Sequence, residues 1–583
     1  MKKALPFLLA FFALFLVYPL VKVLGGSFFV EKIIDGHVTQ IFSLDYYGLL
    51  FANPFYRECL GNSFLIAAWT TALTLILALP LALLFLRADF PAKTTLSALL
   101  LLPLILPPFV GAIGLKQCFA RFGSLNLLLD HFHLIDPLHP PDWFGAGGFW
   151  GIVFLQTLHL LPILFLSVQA ALANLDPALH DAARNLGARS LTVLRTVTLP
   201  LALPGIFAGG AIVFVSAFTD LGTPLIFDFQ STAPTQIYNL VNQSDNPLGY
   251  CLTVVTLAVV AVLFLLARWA TRGDYAMLSR ASAAGADGAR KLSPLAGWAA
   301  TLGVSLLIFV SVLPHLGVVI QSFAAKWFFT VLPSQWSASY YHEVFTLPLT
   351  GTSLQNSLVY AGAASLLDLI LGLAIAQLLV REKFTGRSLL DALAMLPLAL
   401  PGLVTAFAFL IAFSHGPFPV SSHGLAAAIN TLWVACFDPR RNPTLLLVVA
   451  YALHRLPYLV RAATAGLEQM SVDLERASAN LGAKPWQTLA QITVPLIAAN
   501  LIAGTLLTFA FSLLDVSNGM VLAEESRFYP LTKAIYQLLG RITPEAPALA
   551  CALGVVAMVF LGVSLTLASR LLGRKTGQLF RMG

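Results

Sequence analysis

An all-α polytopic membrane protein, built as two parallel repeats of six transmembrane helices, is the fold class this sequence predicts. Three observations carry that expectation. Apolar residues make up 58% of the 583 and charged residues only 10%, with a mean hydropathy of +0.83, which excludes a soluble globular protein. Apolar runs long enough to cross a ~30 Å hydrocarbon core, about 20 residues each, recur along the whole chain. The two halves also carry the same residues in the same order at a nearly constant spacing.

In chain order the runs fall near 4–25, 59–86, 95–117, 148–172, 198–219 and 247–268, then near 296–320, 352–380, 389–413, 443–466, 494–514 and 546–570. Met1-Lys-Lys followed by Ala4–Val21 has the form of a signal peptide. Tyr18-Pro19 is a poor approach to a small-residue cleavage site, so an uncleaved first helix is expected. Prolines blur the bounds of the fifth and eleventh runs. The Ala/Gly/Ser-rich stretch with Arg268, Arg272, Arg280, Arg290 and Lys291 reads as a linker, giving an organisation of 1–270, 271–295 and 296–583.

The repeat shows in the register. Asn62-Ser63, Arg87, Pro103 and Pro107 correspond to Asn356-Ser357, Arg381, Pro397 and Pro401 at an offset of 294. His159, Pro162, Gly187, Pro200 and Asp220 correspond to His454, Pro457, Gly482, Pro495 and Asp515 at 295. Six helices per repeat, an even number, make the repeats parallel rather than inverted.

Two polar islands interrupt this apolar chain at matched places, Asp181-Ala182-Ala183-Arg-Asn-Leu-Gly187 and Arg476-Ala477-Ser478-Ala-Asn-Leu-Gly482, each followed by proline at Pro200 or Pro495. Asp176-Pro177 is a favoured way to open a helix. Ser471 caps the second copy, with Asp473 and Glu475 in the first turn, where the positive helix end favours acids. Gly187 and Gly482 fall where a left-handed residue stops a helix, and Pro485 fits the start of the next one. A DNA-binding helix-turn-helix would have the same outline, but residues 148–175 and 196–219 hold no Asp, Glu, Lys or Arg, so the first unit is bracketed by membrane.

These islands resemble the "EAA" loop, E-A-A-x-x-x-G followed by I-x-L-P, of the membrane subunits of binding-protein-dependent ABC importers. The first copy reads D-A-A-x-x-x-G with Thr198-Leu199-Pro200. The second departs from the pattern, with Arg476 in place of the acid, Glu475 one residue earlier and Ser478 for the second Ala. The likeness covers about residues 55–270 and 350–570, and the fused two-copy arrangement is most similar to ferric-iron permeases, with thiamine and organophosphonate permeases close by.

The resemblance implies a type I ABC importer permease fold. It also implies two copies of a cytoplasmic ATPase subunit that receive the loops and bind the ATP, and a periplasmic substrate-binding protein on the other face. Asp181, Ala182, Ala183, Gly187, Pro200, Glu475, Arg476, Ala477, Gly482 and Pro495 become the candidate coupling residues. The second loop, being the divergent one, is expected to make the weaker contact.

No cofactor is expected in the chain itself, and no catalytic residues. There is no G-x-x-x-x-G-K-[ST], no H-E-x-x-H and no nucleophile elbow. With the N-terminus inside, 22 of the 34 Lys and Arg lie in cytoplasmic segments, and the positive-inside rule supports a multi-pass inner-membrane protein with both termini cytoplasmic. That distribution follows topology and membrane lipid rather than nucleic acid. The five cysteines (59, 118, 251, 436, 551) form no C-x-x-C pair and read as buried thiols.

Polar groups within the membrane are functional suspects. Asp220 and Asp515 either line a translocation pathway or close their helices through Asx-turns. His159 and His454, each three residues before a proline, either line the pathway or bond structurally at a kink. The stretch from His131 to His139 with Asp130, Asp136 and Asp142 has metal-ligand types in no defined spacing, so no metal site is assigned. Glu524, Glu525 and Arg527 suit a docking surface for the binding protein. An ion-coupled secondary transporter, the alternative of another class, would need acids within its helices, where almost none is seen.

For the cargo, ferric iron is the first expectation, and the paired Asp220 and Asp515 would suit a hard cation. A phosphonate or sugar phosphate would be welcomed by external Lys326, Arg440, Arg441 and Lys533. Thiamine would favour aromatic stacking.

Overall fold

The computed structural model describes residues 4–34, 37–145, 148–173, 175, 177–241, 246–270, 290–418 and 424–572. Asp176, Lys2, Lys3, the linker cations from Arg272 to Arg280 and the basic tail beyond Leu572 lie outside the described residues.

Among the described residues nine helices are long and apolar enough to cross a membrane, and three bent helix pairs bring the number to twelve if each is one span. The first six are Leu5–Phe28, Pro54–Arg87, the pair Lys93–Ile105 and Pro108–His131, Phe149–Ala173, Ser190–Phe218 and Pro247–Ala267. The second six are Pro294–Ser322, Pro348–Arg381, the pair Arg387–Ala399 and Gly402–Ser414, Thr444–Gln469, the pair Pro485–Leu496 and Ala498–Leu513, and Ala546–Leu567. Every apolar run therefore has its helix or helix pair.

The breaks are not all where the prolines drew attention. The fifth span is continuous, whereas the third and ninth bend by 93° and 105° and the eleventh by 78°. The third and ninth break before the matched Pro107 and Pro401. Proline disfavours the helical conformation in the residue before it and lacks the N–H that would continue the ladder. Leu106 and Leu400 are accordingly extended, at ψ 128° and 127°. A short apolar helix, Leu425–Phe437, lies between the ninth and tenth spans in what reads in sequence as a loop. Its Cys436 is exposed, contrary to the expected buried thiol, while Cys59, Cys251 and Cys551 are buried.

Contacts divide the chain into two compact units that cut across the boundaries expected from the sequence. One comprises Met1–Arg57, Gln236–Leu257 and Ala338–Leu579; the other comprises Glu58–Thr235 and Ala258–Ser337. The first span of each repeat thus belongs to the unit built mainly from the other repeat. In the first unit, Phe15 packs its ring 5.8 Å from Phe413 and 6.2 Å from Phe437, and the Tyr18 hydroxyl donates to Ala412 O at 3.4 Å. Leu459 fills the space left by Gly372 and Gly504, where a Cβ would come within 2.9 Å and 2.7 Å of it. Small residues allow such close helix approach in lipid, where packing rather than a hydrophobic drive joins helices. In the second unit, Gly114 and Gly317 do the same for the third and seventh spans.

The turn that opens the third and ninth spans also repeats. Gly386 has φ +97°, and at the equivalent place Ala92 is held at φ +59°. A left-handed residue with a Cβ costs about 1–2 kcal/mol, partly offset by the lower unfolded entropy of alanine. Ala92→Gly is expected to raise the thermal midpoint of the detergent-solubilised protein slightly, by up to about 1 kcal/mol of stability. A lower midpoint would mean that the Ala92 methyl contributes packing that exceeds its strain.

Candidate functional site

Each repeated island is a helix, a glycine break and a second helix. Pro177–Asn185 is followed by Gly187 at φ +84°, and Val472–Asn480 by Gly482 at φ +86°. The closing bonds match one for one. Gly187 N–H donates to Arg184 O at 2.8 Å and Ala188 N–H to Ala183 O at 3.1 Å; Gly482 N–H donates to Ala479 O at 2.9 Å and Ala483 N–H to Ser478 O at 3.2 Å. This paired pattern is a Schellman motif, which requires the left-handed residue at glycine. Ser471 accepts from Asp473 N–H as the cap of the second helix, and Pro485 opens the one that follows.

A single π-turn follows in both copies, Leu194–Thr198 and Leu489–Thr493, ending just before Pro200 and Pro495. Because proline has no N–H to return to the carbonyl four residues back, the ladder slips by one residue there. The matched prolines thus set how each loop re-enters its span.

Both loops are open to solvent. Asp181, Ala182 and Gly187 are exposed, as are Arg476, Ala477 and Gly482, while Ala183 is half-buried. Leu186 and its equivalent Leu481 are each 89% exposed. An apolar side chain left so bare at the same place in both repeats suits a partner surface.

Each loop is tied to its own repeat by the arginine that ends the second or eighth span. Arg87 donates to Thr198 Oγ1 at 3.1 Å. Arg381 donates to Leu467 O at 2.9 Å and Met470 O at 3.2 Å, and its Nε lies 2.9 Å from Glu475 Oε2 in an ion pair. Glu475 also accepts from Thr493 Oγ1 at 2.9 Å. Its carboxylate is thus turned inward, inserted between the arginine and threonine that touch directly in the first repeat. Arg476, in register with Asp181, is the exposed residue and pairs with Asp473 at 3.3 Å. The displaced acid therefore does not stand where the aspartate of the first loop stands.

The paired membrane acids both cap short helices. Asp220 accepts from Gly222 N–H at 3.1 Å and Thr223 N–H at 3.3 Å, and also from Gln156 Nε2 at 2.9 Å. Asp515 accepts from Asn518 N–H at 2.9 Å and from its side-chain amide at 3.1 Å. His159 bonds to Pro103 O at 2.7 Å. That carbonyl has lost its helical donor because Pro107 lies four residues on, so the histidine serves the break in the third span rather than a kink in its own helix. His454 is not doing the same work, since its Nδ1 is buried without a hydrogen-bond partner among the described residues.

Asn62-Ser63 and Asn356-Ser357, singled out by register alone, have a shared task. Asn62 Nδ2 donates to Ser231 O and Ser63 Oγ accepts from Ala233 N–H; Asn356 Nδ2 donates to Arg527 O and Ser357 Oγ accepts from Leu531 N–H. Each pair pins the segment between the last two spans of its repeat. Lys533 in that segment is not the surface cation expected from sequence. It is 6% exposed and donates to Met520 O at 2.8 Å, and burial draws its pKa down to about 8. His139 pairs with Asp136 at 2.9 Å, and among the described residues no three His, Cys, Asp or Glu gather as a metal site.

Sequence reading missed two charges inside the spans. Asp368 on the eighth span is fully buried, and Arg455 on the tenth is mostly so, with its Nη2 3.6 Å from Asp515 Oδ2. Long apolar neighbours masked them in the hydropathy profile. Their one signal was the repeat itself, since Thr74 and Leu160 occupy the equivalent places.

The profile of the family described as binding-protein-dependent transport system inner membrane component matches residues 73–273 and 368–578. The chain is 26% identical to the ferric transport system permease protein FbpB of Actinobacillus pleuropneumoniae, over 88% of this chain and 69% of that one. It is 25% identical to the putative ferric transport system permease protein FbpB 1 of Haemophilus influenzae, over 88% of this chain and 76% of that one. The sulfate transport system permease protein CysT of Escherichia coli is 33% identical over 38% of this chain and 72% of its own length.

Proposed function

Since this chain belongs to the family of inner membrane components of binding-protein-dependent transport systems and is the permease of an ABC importer, we propose that the cargo it passes is ferric iron. The observation that carries this reading is the extent of the likeness. The relatives named for ferric transport run along 88% of the chain and so span both repeats, whereas the sulfate permease matches 38%, about one repeat.

Two copies of an ATPase subunit then meet the exposed loops on the cytoplasmic face, and a periplasmic binding protein delivers iron on the other. The matched Schellman turns and the bare Leu186 and Leu481 support the first contact. ATP-driven closure of the ATPase pair draws the loops together and opens the pathway outward; hydrolysis resets it inward. Asp181, Leu186 and Gly187 carry the contact in the first copy, and Arg476, Leu481 and Gly482 in the second. Glu475 holds the second loop in place from within. Both termini lie in the cytoplasm in this reading. Asp220 and Asp515 are satisfied as caps, so they are not assigned as cargo ligands.

The test is uptake into vesicles carrying the permease, its ATPase and its binding protein, comparing labelled ferric iron with a phosphonate and thiamine. Iron is expected to accumulate and to stimulate ATP hydrolysis, with neither competitor doing so. Accumulation of a competitor without iron would overturn the cargo assignment and leave the family intact.

A further inference from the structure

The second repeat holds a charge arrangement that the first lacks. Both carboxylate oxygens of Asp368 are buried without a hydrogen-bond partner among the described residues. Gly372 packs on Leu459 and Arg381 donates to Leu467 O, so the eighth and tenth spans run in register and Arg455 lies beside Asp368, one turn before the first of these contacts. Its guanidinium is turned to Asp515 through Nη2, while Nε is buried without a hydrogen-bond partner among the described residues. The guanidinium pairs with Asp515 at 3.6 Å, donates to Phe511 O at 3.4 Å and lies 5.6 Å from the centroid of the Phe511 ring. In the first repeat the equivalent residues are Thr74 and Leu160, and Asp220 is served by the neutral amide of Gln156.

Other ionisable groups do not fill the gap. On the tenth span, Tyr451 and His454 neighbour Arg455 and add no fixed positive charge. Ala498–Leu513, which also packs on the eighth span, has no ionisable side chain. Arg527 and the Lys533 helix meet the eighth span at Asn356, Ser357 and Tyr360, eight or more residues and so at least ~12 Å along the helix from Asp368. Glu343 is tied to Thr350 still farther out. Arg387 and Asp391, with Arg461 and Glu468 of the tenth span, gather near Leu379 and Val380, toward its other end.

Two carboxylates therefore share one guanidinium in a setting where an uncompensated charge is strongly unfavourable. One further positive charge is needed. No third His, Cys, Asp or Glu lies close enough to build a metal site with these acids among the described residues, which leaves the smallest cation.

We propose that Asp368 is a proton-binding site, occupied while Arg455 is held by Asp515 and emptied when Arg455 transfers to Asp368. In that exchange the Asp368 O–H bond breaks and the proton passes to water. The guanidinium neutralises the new carboxylate, and Asp515 keeps the bonds from Asn518. The second repeat thus contains a proton-linked switch, whatever cargo the permease carries.

Infrared spectroscopy of the full-length protein in lipid nanodiscs tests this without any transport measurement. The wild type should show a protonated-carboxyl C=O band that Asp368→Asn removes. Asp515→Asn leaves one acid and one guanidinium, so the Asp368 band should be lost there too. Arg455→Gln leaves two acids without a cation, and the band should grow. Absence of the band in the wild type would overturn the proposal, and so would its persistence in Asp515→Asn. Both aspartate variants are isosteric, which keeps the test open if Arg455→Gln fails to fold.

Discussion

Gly187→Asp and Gly482→Asp are each expected to reduce uptake and cargo-stimulated ATP hydrolysis by roughly tenfold or more while the protein still inserts and folds. Both glycines sit at positive φ, where a side chain costs about 1–2 kcal/mol, and ~1.4 kcal/mol alone corresponds to a tenfold change in an equilibrium. Among the described residues, nothing other than the adjoining residues lies within 4 Å of a Cβ built at either position. The carboxylate therefore meets no internal obstacle and acts through the turn and through whatever docks there. Gly→Ala at the same sites separates the two effects, because it brings the backbone strain without the charge. Transport assays on vesicles, with ATPase copurification as the binding readout, check the result. Unchanged uptake in both aspartate variants would remove the loops from the coupling mechanism.

Arg381→Glu should be as damaging by a different route. The Arg381 and Glu475 side chains are 14% and 17% exposed, so their pair is close to a buried one. Breaking such a pair by removing one partner costs about 3–5 kcal/mol, and here the substitution also places two carboxylates together. The guanidinium bonds to Leu467 O and Met470 O, at the end of the tenth span, are lost as well. The second loop should detach from its span, with greater protease sensitivity around Ser471–Gly482 and at least tenfold lower uptake. Adding Glu475→Arg restores the ion pair but not the carbonyl bonds, so the double variant should recover in part. No recovery would mean that the carbonyl bonds, not the pair, position the loop.

What the sequence alone determined about this protein is local in origin. Run length against bilayer thickness located all twelve spans. Cap chemistry placed the helix starts at Pro177, Ser471 and Pro485, and the left-handed stops at Gly187 and Gly482. The matched offsets picked out Asn62-Ser63 and Asn356-Ser357 before any task for them was visible. Each of these depends on a residue and its near neighbours along the chain.

Only the tertiary structure decided which span each first helix joins, since apolar faces look alike in lipid and small residues such as Gly372, Gly504 and Gly114 set the packing. It also decided that His159 serves Pro103 rather than the kink at Pro162, that Glu475 turns in to Arg381, and that Lys533 is buried. Asp368 and Arg455 lie 87 positions apart in sequence, each lost among apolar neighbours. A polar group in a membrane must find its partner across space, and hydropathy along the chain contains no term for that search.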